Sequence, residues 1–368
     1  MILKSLSLVN FKNYEEAVLE PNSNVNCFIG ENGQGKTNVL DAIYYLAFCK
    51  SFFNPIDSQN IRHDQSFFVI QGTFVRSKKD ENYFCGIKKG QKKQFKRNKK
   101  EYEKLSEHIG RIPLVMISPA DSFLITDGSE SRRKFVDGVI AQFNKSYLDN
   151  LLNYQRALSQ RNALLKSFAE NRNFDADSLA IWNEKLITFG EPIHRERHNF
   201  LEEFIPLFQK HYKKITENAE NVNLKYSSAM NEKNLQELLE EFLGKDQALR
   251  YTTQGIHKDD LTFEIDKYPL KKFGSQGQQK SFVIALKFAQ FEFIRLKKGT
   301  MPLLLLDDIF DKLDSKRVEA IIEMVSTDDF GQIFITDTNM ERIKPILKKI
   351  KKAYQLFDVI EGGVQNHE

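Results

Sequence analysis

Eight consecutive residues, Gly30-Glu31-Asn32-Gly33-Gln34-Gly35-Lys36-Thr37, fit the spacing G-x-x-x-x-G-K-[ST] and name a chemistry before the rest of the chain does. A loop that wraps a triphosphate must turn successive backbone N–H groups inward, which glycine does at least cost. It must also end where a helix begins, so that the helix dipole meets the negative charge. The species that fits is ATP with Mg2+: Lys36 reaches the β- and γ-phosphates and the Thr37 hydroxyl sits on the metal. Far downstream, Leu303-Leu304-Leu305-Leu306-Asp307-Asp308 supplies two adjacent carboxylates. Asp307 is placed to hold the magnesium through water, and Asp308 to orient or deprotonate an attacking water.

These groups need a frame, and the neighbouring sequence supplies one. Residues 25–29 read as a buried strand, and Asn38, Val39, Leu40, Ala42, Ile43, Tyr44, Leu46 and Ala47 carry the 3.6-residue repeat of a helix opening near Lys36. The four leucines after Pro302 read as a strand buried on both faces, and in open α/β sheets the ligand sits beyond the carboxyl ends of the strands, where Asp307 falls. A second candidate anion site lies in Phe273-Gly274-Ser275-Gln276-Gly277-Gln278-Gln279-Lys280, which opens a helix with Val283, Leu286 and Phe293 on its apolar face. Ser275, Gly277 and Gln278 would meet phosphate there. One triphosphate seldom needs two such termini, so the pair implies a shared ligand.

Composition narrows the class. With 368 residues the chain is long for one core. Hydrophobic content of 41% and charged content of 28% describe an ordinary globular protein. A net charge of +4 is too mild to diagnose a nucleic-acid partner. Cys27, Cys49 and Cys85 have no metal-ligand spacing and build no disulfide framework, which fits a reducing cytoplasm. No apolar stretch reaches the ~20 residues that span a bilayer, and Met1-Ile2-Leu3-Lys4 runs into alternating strand sequence rather than a secretory signal. A soluble cytoplasmic protein without a membrane partner is therefore expected.

About 270 residues separate the phosphate loop from Asp307, more than two adjacent strands require, so a second unit must be inserted. Its runs are helical: residues 131–166 and 179–212 repeat apolar side chains at helical spacing, 235–249 adds a third helix, and 170–178 is the turn joining the first two. At about ten turns at most, they make a stubby arm rather than a long coiled coil. Basic residues cluster at Lys88, Lys89, Lys92, Lys93, Lys96, Arg97, Lys99 and Lys100, read as a strand-turn-strand excursion. A second cluster comprises Lys344, Lys348, Lys349, Lys351 and Lys352, on a helix with Ile343, Leu347, Ile350 and Tyr354 as its buried stripe. Lys92, Lys93, Lys96, Arg97, Lys99 and Lys100 are the candidate phosphate contacts should the partner be a nucleic acid; with no aromatic residues interleaved, such contact suits duplex backbone.

The segment around Ser275 resembles the signature sequence of ABC-type ATPases, in which one subunit's signature caps the γ-phosphate held by another's phosphate loop. The motif order agrees: signature helix, Asp307 about 30 residues later, then Asp311-Lys312-Leu313-Asp314, similar to the D-loop at the dimer seam. After the apolar strand Gln332-Ile333-Phe334-Ile335-Thr336 the ABC pattern places a switch histidine, whereas this chain has Asp337-Thr338. Either Thr338 takes over the contact or hydrolysis is slow. An ATPase that drives a membrane transporter through a partner subunit is the competing class.

Nearly end to end, the chain resembles the RecF family of DNA replication and repair proteins. The resemblance rests on Leu6-Ser7-Leu8-Val9-Asn10-Phe11-Lys12-Asn13-Tyr14, the phosphate loop, Ser118-Pro119-Ala120-Asp121, and Gly128-Ser129-Glu130-Ser131-Arg132-Arg133-Lys134-Phe135-Val136-Asp137. It continues in Gly255-Ile256-His257-Lys258-Asp259-Asp260 and in the signature with Gln278-Gln279-Lys280-Ser281. It implies an α/β fold: an ABC-type P-loop ATPase head, lobe I, with a mixed sheet and helices, and an inserted, mainly helical lobe II. Lobe I would comprise 1–115 and 255–368, and lobe II 116–254. It further implies nucleotide contacts from Lys12 and Asn13, catalytic roles for Lys36 and Asp308, and a weak ATPase. The implied assembly is an ATP-dependent homodimer that binds gapped or single-strand/double-strand junction DNA and works with RecR, RecO and RecA in repair, replication restart and SOS induction. His257 and Asp260 are open between nucleotide sensing and a structural turn. The chain departs from the family at 50–57, where Lys50-Ser51-Phe52-Phe53-Asn54-Pro55-Ile56-Asp57 lacks the usual arginines, and at Gly274, where alanine is usual and the exchange is expected to be sterically mild.

Overall fold

The computed structural model describes residues 1–217, 220–310, 313–350 and 352–367. It divides into two compact units, one of residues 1–122, 214–217 and 280–368 and the other of 123–213 and 218–279. Residues 255–279, expected in lobe I, fall in the second of these units, and 116–122 in the first.

The first unit begins with β1 (Ile2–Phe11), β2 (Tyr14–Leu19), β3 (Val25–Ile29) and helix α1 (Lys36–Phe48). It continues in β4 (Phe67–Arg76), β5 (Lys79–Lys88), β6 (Gln94–Arg97), β7 (Lys100–Glu101) and β8 (Leu114–Ile117). The second unit carries α2 (Phe123–Thr126), α3 (Ser129–Ile140), α4 (Lys145–Asn171), α5 (Ala176–Thr216), β9 (Val222–Ser227), α6 (Leu235–Glu241), α7 (Leu243–Leu249), β10 (Asp260–Ile265), β11 (Tyr268–Pro269) and α8 (Leu270–Phe273). The chain passes back into the first unit within α9 (Gln276–Lys298) and completes it with β12 (Leu303–Asp307), α10 (Ser315–Ser326), β13 (Ile333–Asp337), α11 (Met340–Lys349), β14 (Tyr354–Ile360) and β15 (Gly363–Asn366).

Two sheets organise the first unit. The antiparallel sheet runs β2-β1-β4-β5-β6-β7 and alternates one buried with one exposed face, as Phe68, Ile70 and Phe74 against Gln71 and Thr73 show. The other sheet runs β15-β14-β3-β13-β12-β8 and is parallel except for the final hairpin β14–β15. Its strands β3, β12, β13 and β8 are buried at every residue, which explains their unbroken apolar runs. Helix α1 fills the space between the sheets: Val39, Leu40, Ile43 and Leu46 share one core with Leu8, Phe68 and Ile70 of the antiparallel sheet and with Phe28, Leu305 and Phe334 of the parallel one. Each such side chain contributes about 1.5–3 kcal/mol on burial, so α1 is fixed to both layers and its N-terminus cannot drift.

The second unit is mainly helical and includes a small antiparallel sheet, β11-β10-β9. The helical run expected over 131–166 is broken at Asn144, whose side chain accepts a bond from Tyr147 N at 2.9 Å and caps α4. The helix expected over 235–249 is likewise two short ones, α6 and α7. Helix α5 has 41 residues, about eleven turns, and continues through Pro192 and Pro206. Two buried arginines tie the unit together. Arg161 meets Asp246 at 2.6 Å and Asn183 at 2.6 Å, and Arg197 meets Asp137 at 2.9 Å and Asp259 at 2.8 Å. Removing one partner from such a buried pair costs about 3–5 kcal/mol, because a charge is left uncompensated.

Candidate functional site

Three parallel strands that are neighbours in the sheet deliver the polar centre of the first unit. Strand β8 is followed by Ser118, β12 ends in Asp307, and β13 ends in Thr336 and Asp337. Asp307, only 4% exposed, accepts bonds from the hydroxyls of Thr37 and Thr336, both at 2.8 Å, and from Ser118 Oγ at 3.4 Å. Burial raises its pKa, against these hydrogen bonds, which favour the carboxylate. Ser118 is itself held: its backbone N donates to Asp121 at 2.9 Å, and Asp121 pairs with Lys287 of α9 at 2.7 Å. Asp308 follows with φ of 46°, a left-handed conformation uncommon for a residue with a side chain. Its N–H is anchored on Thr336 Oγ1 at 3.1 Å, and burial, then the neighbouring Asp307 charge, raise its pKa.

The phosphate loop is preformed beside these carboxylates. Lys36 Nζ donates to the carbonyls of Gly30 and Glu31, at 2.8 and 2.9 Å, so the ammonium is fastened inside the loop. Burial lowers its pKa, opposed by Asp308, Asp307 and Asp337. Gly35 caps α1 with φ of 119°, a conformation closed to side chains. Gly30 is required for a different reason: a Cβ there would lie 2.3 Å from Val359 O of β14. Gln34 is fastened from outside, its carbonyl accepting from Asn13 Nδ2 at 2.8 Å and from Gly362 N at 3.2 Å, and its side-chain oxygen from Glu361 N. Tyr14 OH reaches Gly35 O at 3.0 Å.

The donor set fits the expected ligands. Thr37, Asp307, Ser118 and Thr336 present oxygen ligands only, the hard donors that Mg2+ prefers. The loop offers a helix N-terminus and an ammonium to a polyphosphate. Of the residues matched by resemblance, Asn13 braces the loop carbonyl, and Lys12 is engaged with Asp41 at 2.6 Å beside the Phe11 and Phe53 rings. Asp337, at the switch position, is buried and holds the turn into α11 through Asn339 N at 2.8 Å and Arg342 at 3.1 Å, while Thr338 is exposed. In the proposed D-loop, Asp311 and Lys312 lie outside the described residues; Asp314 caps α10 by accepting from Arg317 N at 2.9 Å.

The signature segment belongs to the second unit. Ser275 N donates to Gln278 Oε1 at 2.7 Å and Gln278 N to Ser275 Oγ at 3.2 Å, a reciprocal capping box at the start of α9. Ser275 is exposed, and accepting that bond leaves its own O–H as a donor. Gln278 also reaches Glu220 at 2.9 Å, and Gly277 lies in the first turn between them. Gly274 is not the mild departure expected: a Cβ would fall 2.8 Å from Leu270 O, so alanine there requires the α8 turn to move. His257 and Asp260 are built into this unit's own packing. His257 donates from Nε2 to Thr252 O at 3.1 Å and meets Tyr154 OH at 2.8 Å, burial holding its pKa down at about 4. Asp260 accepts from Nε and Nη2 of Arg132, at 2.8 and 3.0 Å.

The basic cluster runs from the end of β5 through the following turn into β6 and β7, at the edge of the antiparallel sheet. Lys92, Lys99 and Lys100 are exposed, whereas Lys93 is spent internally on Asp57 at 2.8 Å and Cys49 O at 2.6 Å. Arg97 lies 4.0 Å from Glu81, and Lys96 covers the Phe84 ring. Lys96 and Lys99 line an open groove of about 700 Å³ on the outer sheet face, with Ser5, Ser7, Gln71 and Asn82. In the second cluster, Lys349 pairs with Glu319 and Lys352 bonds Phe330 O at 3.1 Å; Lys351 lies outside the described residues. Ile343, Leu347 and Ile350 are buried as expected, but Tyr354 belongs to strand β14 and is exposed.

Sequence reasoning missed Ser118 and Thr336 as members of the site. The signal was present: both are hydroxyl residues at the carboxyl ends of strands flanking Asp307.

Comparison with known proteins gives a consistent picture. Residues 2–360 match the family model described as RecF/RecN/SMC N terminal domain. The DNA replication and repair protein RecF of Flavobacterium johnsoniae is 56% identical over 359 residues, covering 98% of this chain and all of the relative. A solved structure of the recombination mediator protein RecF with ATP, in the RecFOR pathway, superposes with a TM-score of 0.89 at 29% identity, covering 100% of this chain and 98% of that one. An SMC head bound to the C-terminal winged-helix domain of ScpA shares the fold, with a TM-score of 0.60 at 13% identity, covering 100% of this chain and 97% of the other. The transporter alternative finds no support among these relatives. Among the described residues, no helix is long and apolar enough to cross a membrane.

Proposed function

The chain belongs to the RecF family, and from that premise we propose that it is an ATP-gated DNA-binding protein of recombinational repair and replication restart, acting in the cytoplasm. The observation that carries the nucleotide half is the joining of Thr37 to Asp307 at 2.8 Å, which brings phosphate loop and carboxylate strand to one point. Thr37 and Asp307 would hold Mg2+, which would supply positive charge against the β- and γ-phosphates. Lys36 releases its two loop carbonyls and turns its ammonium to the same phosphates. Asp308 orients the attacking water or takes its proton, and burial with the neighbouring Asp307 charge makes it a stronger base than a free carboxylate.

Exposure of Ser275 at a helix start supports a second step, in which the signature of one subunit donates to the γ-phosphate held by another. ATP then favours a homodimer, and hydrolysis releases it. The commitment of Asp337 to Arg342 leaves no imidazole at the switch position and fits slow turnover, a switch more than a metabolic enzyme. The dimer would bind duplex backbone near gaps through Lys92, Lys96, Arg97, Lys99 and Lys100, and would work with RecR, with RecO and RecA as further partners in RecA loading and SOS induction. Lys93 is better read as a structural cation.

The test compares binding to gapped duplex with and without ATP and Mg2+ at two salt concentrations. Tighter binding with ATP, weakened steeply by salt as phosphate contacts require, is the expected result. No binding to gapped duplex in either nucleotide state refutes the reading.

A further inference from the structure

The chain's single tryptophan lies outside the nucleotide site and both basic clusters, in a groove of the second unit. Trp182 and Phe189, seven residues apart on α5, floor a groove of about 410 Å³ whose facing wall is Asn153, Arg156 and Gln160 of α4. Trp182 and Phe189 are both half-buried, and a base stacking on Trp182 takes the place of the Lys185 ammonium that lies over the indole. Lys185 holds its ammonium 4.3 Å from the centre of the Trp182 ring system. Among the described residues, the charged side chains lining the groove are Arg156 and Lys185, both cationic, and Asn153 and Gln160 add two amides.

This combination differs from the lysine cluster of the antiparallel sheet. Aromatic faces accept any base by stacking, cations flank them where phosphates must run, and amides carry both donors and acceptors for base edges. A duplex keeps its bases stacked on one another and offers no free face to an indole. We propose that the groove of Trp182, Phe189, Arg156 and Lys185 is a stacking site for single-stranded nucleic acid. The inference rests on the DNA-binding reading above and adds a single-strand contact to a protein whose other candidate contacts suit duplex backbone.

Trp182 is the only indole, so selective excitation of tryptophan reports on this groove alone. The full chain, with ATP and Mg2+, is titrated with oligothymidylate, with blunt duplex and with polyglutamate while indole emission is followed. Gapped-duplex binding, and all binding by the Trp182 variants, which carry no indole, is measured by mobility shift. Saturable quenching by oligothymidylate, little by blunt duplex and none by polyglutamate, is expected. Trp182→Leu should weaken oligothymidylate binding about 5- to 150-fold, the range for one stacked base, and leave blunt-duplex affinity within twofold. Trp182→Phe keeps a ring and should restore most of the loss, which separates stacking from damage to the fold. If gapped duplex binds but Trp182→Leu retains full single-strand affinity, the groove is not the site while the DNA-binding reading stands. Quenching by polyglutamate as strong as by oligothymidylate makes this an acidic-peptide surface and overturns the proposal. Failure to bind DNA of any form overturns both.

Discussion

Replacing Gly30 by alanine tests whether the phosphate loop depends on its contact with the C-terminal hairpin. The new Cβ would stand 2.3 Å from Val359 O and 3.3 Å from the attached carbon. An unstrained carbon–oxygen contact is about 3.3 Å or more, so the loop and β14 must separate by about 1 Å. Val359 is fully buried, leaving β14 no room to retreat, and the loop therefore moves. Lys36 Nζ sits 2.8 Å from Gly30 O, and a shift of that size takes the pair beyond hydrogen-bonding range. Overpacking should cost about 1–3 kcal/mol of stability. A loop displaced by about 1 Å no longer aims its N–H groups and Lys36 at the phosphates, and losing one charge-assisted contact to phosphate, worth about 1.5–3 kcal/mol, should weaken ATP binding roughly 10- to 100-fold. Titration calorimetry with Mg2+ and ATP reads the affinity, and urea unfolding of the same preparation reads the stability. If Gly30→Ala binds ATP within twofold of the parent and unfolds at the same urea concentration, the contact with β14 does not hold the loop.

Other expectations follow from the same geometry. Ser275→Arg should leave ATP binding by the monomer intact, cost about 1 kcal/mol of stability through loss of the cap, and abolish ATP-dependent dimerisation in sedimentation; a dimer that persists with ATP refutes the shared site. Asp308→Asn keeps a side chain that tolerates the left-handed backbone, so binding and dimerisation should survive while ATP hydrolysis falls 100-fold or more; unchanged hydrolysis removes Asp308 from catalysis. His108 donates from Nε2 to Leu46 O at 2.7 Å, and burial depresses its pKa from 6.5 to about 4. A depressed histidine stabilises the fold above the unfolded pKa and loses that contribution as pH falls from 6.5 towards 4. Lowering the pH from 7.5 to 5 should therefore cost about 2 kcal/mol through this residue, and urea unfolding of His108→Gln should show a correspondingly smaller pH dependence.

What the sequence made legible was chemistry confined to short stretches. Gly30 to Thr37 forces strand, loop and helix because phosphate binding leaves few alternatives, and Leu303 to Leu306 can only be a doubly buried strand. Breaks set by single caps were harder to read. Asn144 interrupts a run with uninterrupted helical periodicity, because its side chain competes for the backbone of the next turn. Tyr354 keeps helical phase with Ile350 yet begins a strand, since pairing with Val25 outweighs one more helical residue. Partners brought together by long-range topology left only a faint signal: Ser118 and Thr336 are hydroxyls at strand ends, but they lie far in sequence from Thr37 and only the parallel register sets them around Asp307. Lys93 misled because a charge run does not reveal which member turns inward, here towards Asp57.

The strand order of the parallel sheet also governs when the protein can fold during synthesis. Strand β3 is made among the first thirty residues, but it pairs with Ile333–Asp337 on one side and Tyr354–Asp358 on the other. At translation speeds of about 5–20 residues per second, its five residues, all buried in the finished sheet, wait roughly 15–60 s for either neighbour. Strands β1, β2, β4 and β5 can pair within the first 88 residues and the helical unit can close by itself, while Val25-Asn26-Cys27-Phe28-Ile29 stays uncovered beside them. A nascent chain arrested before residue 333 therefore carries an unpaired apolar edge, the kind of surface that chaperones bind and that aggregation recruits.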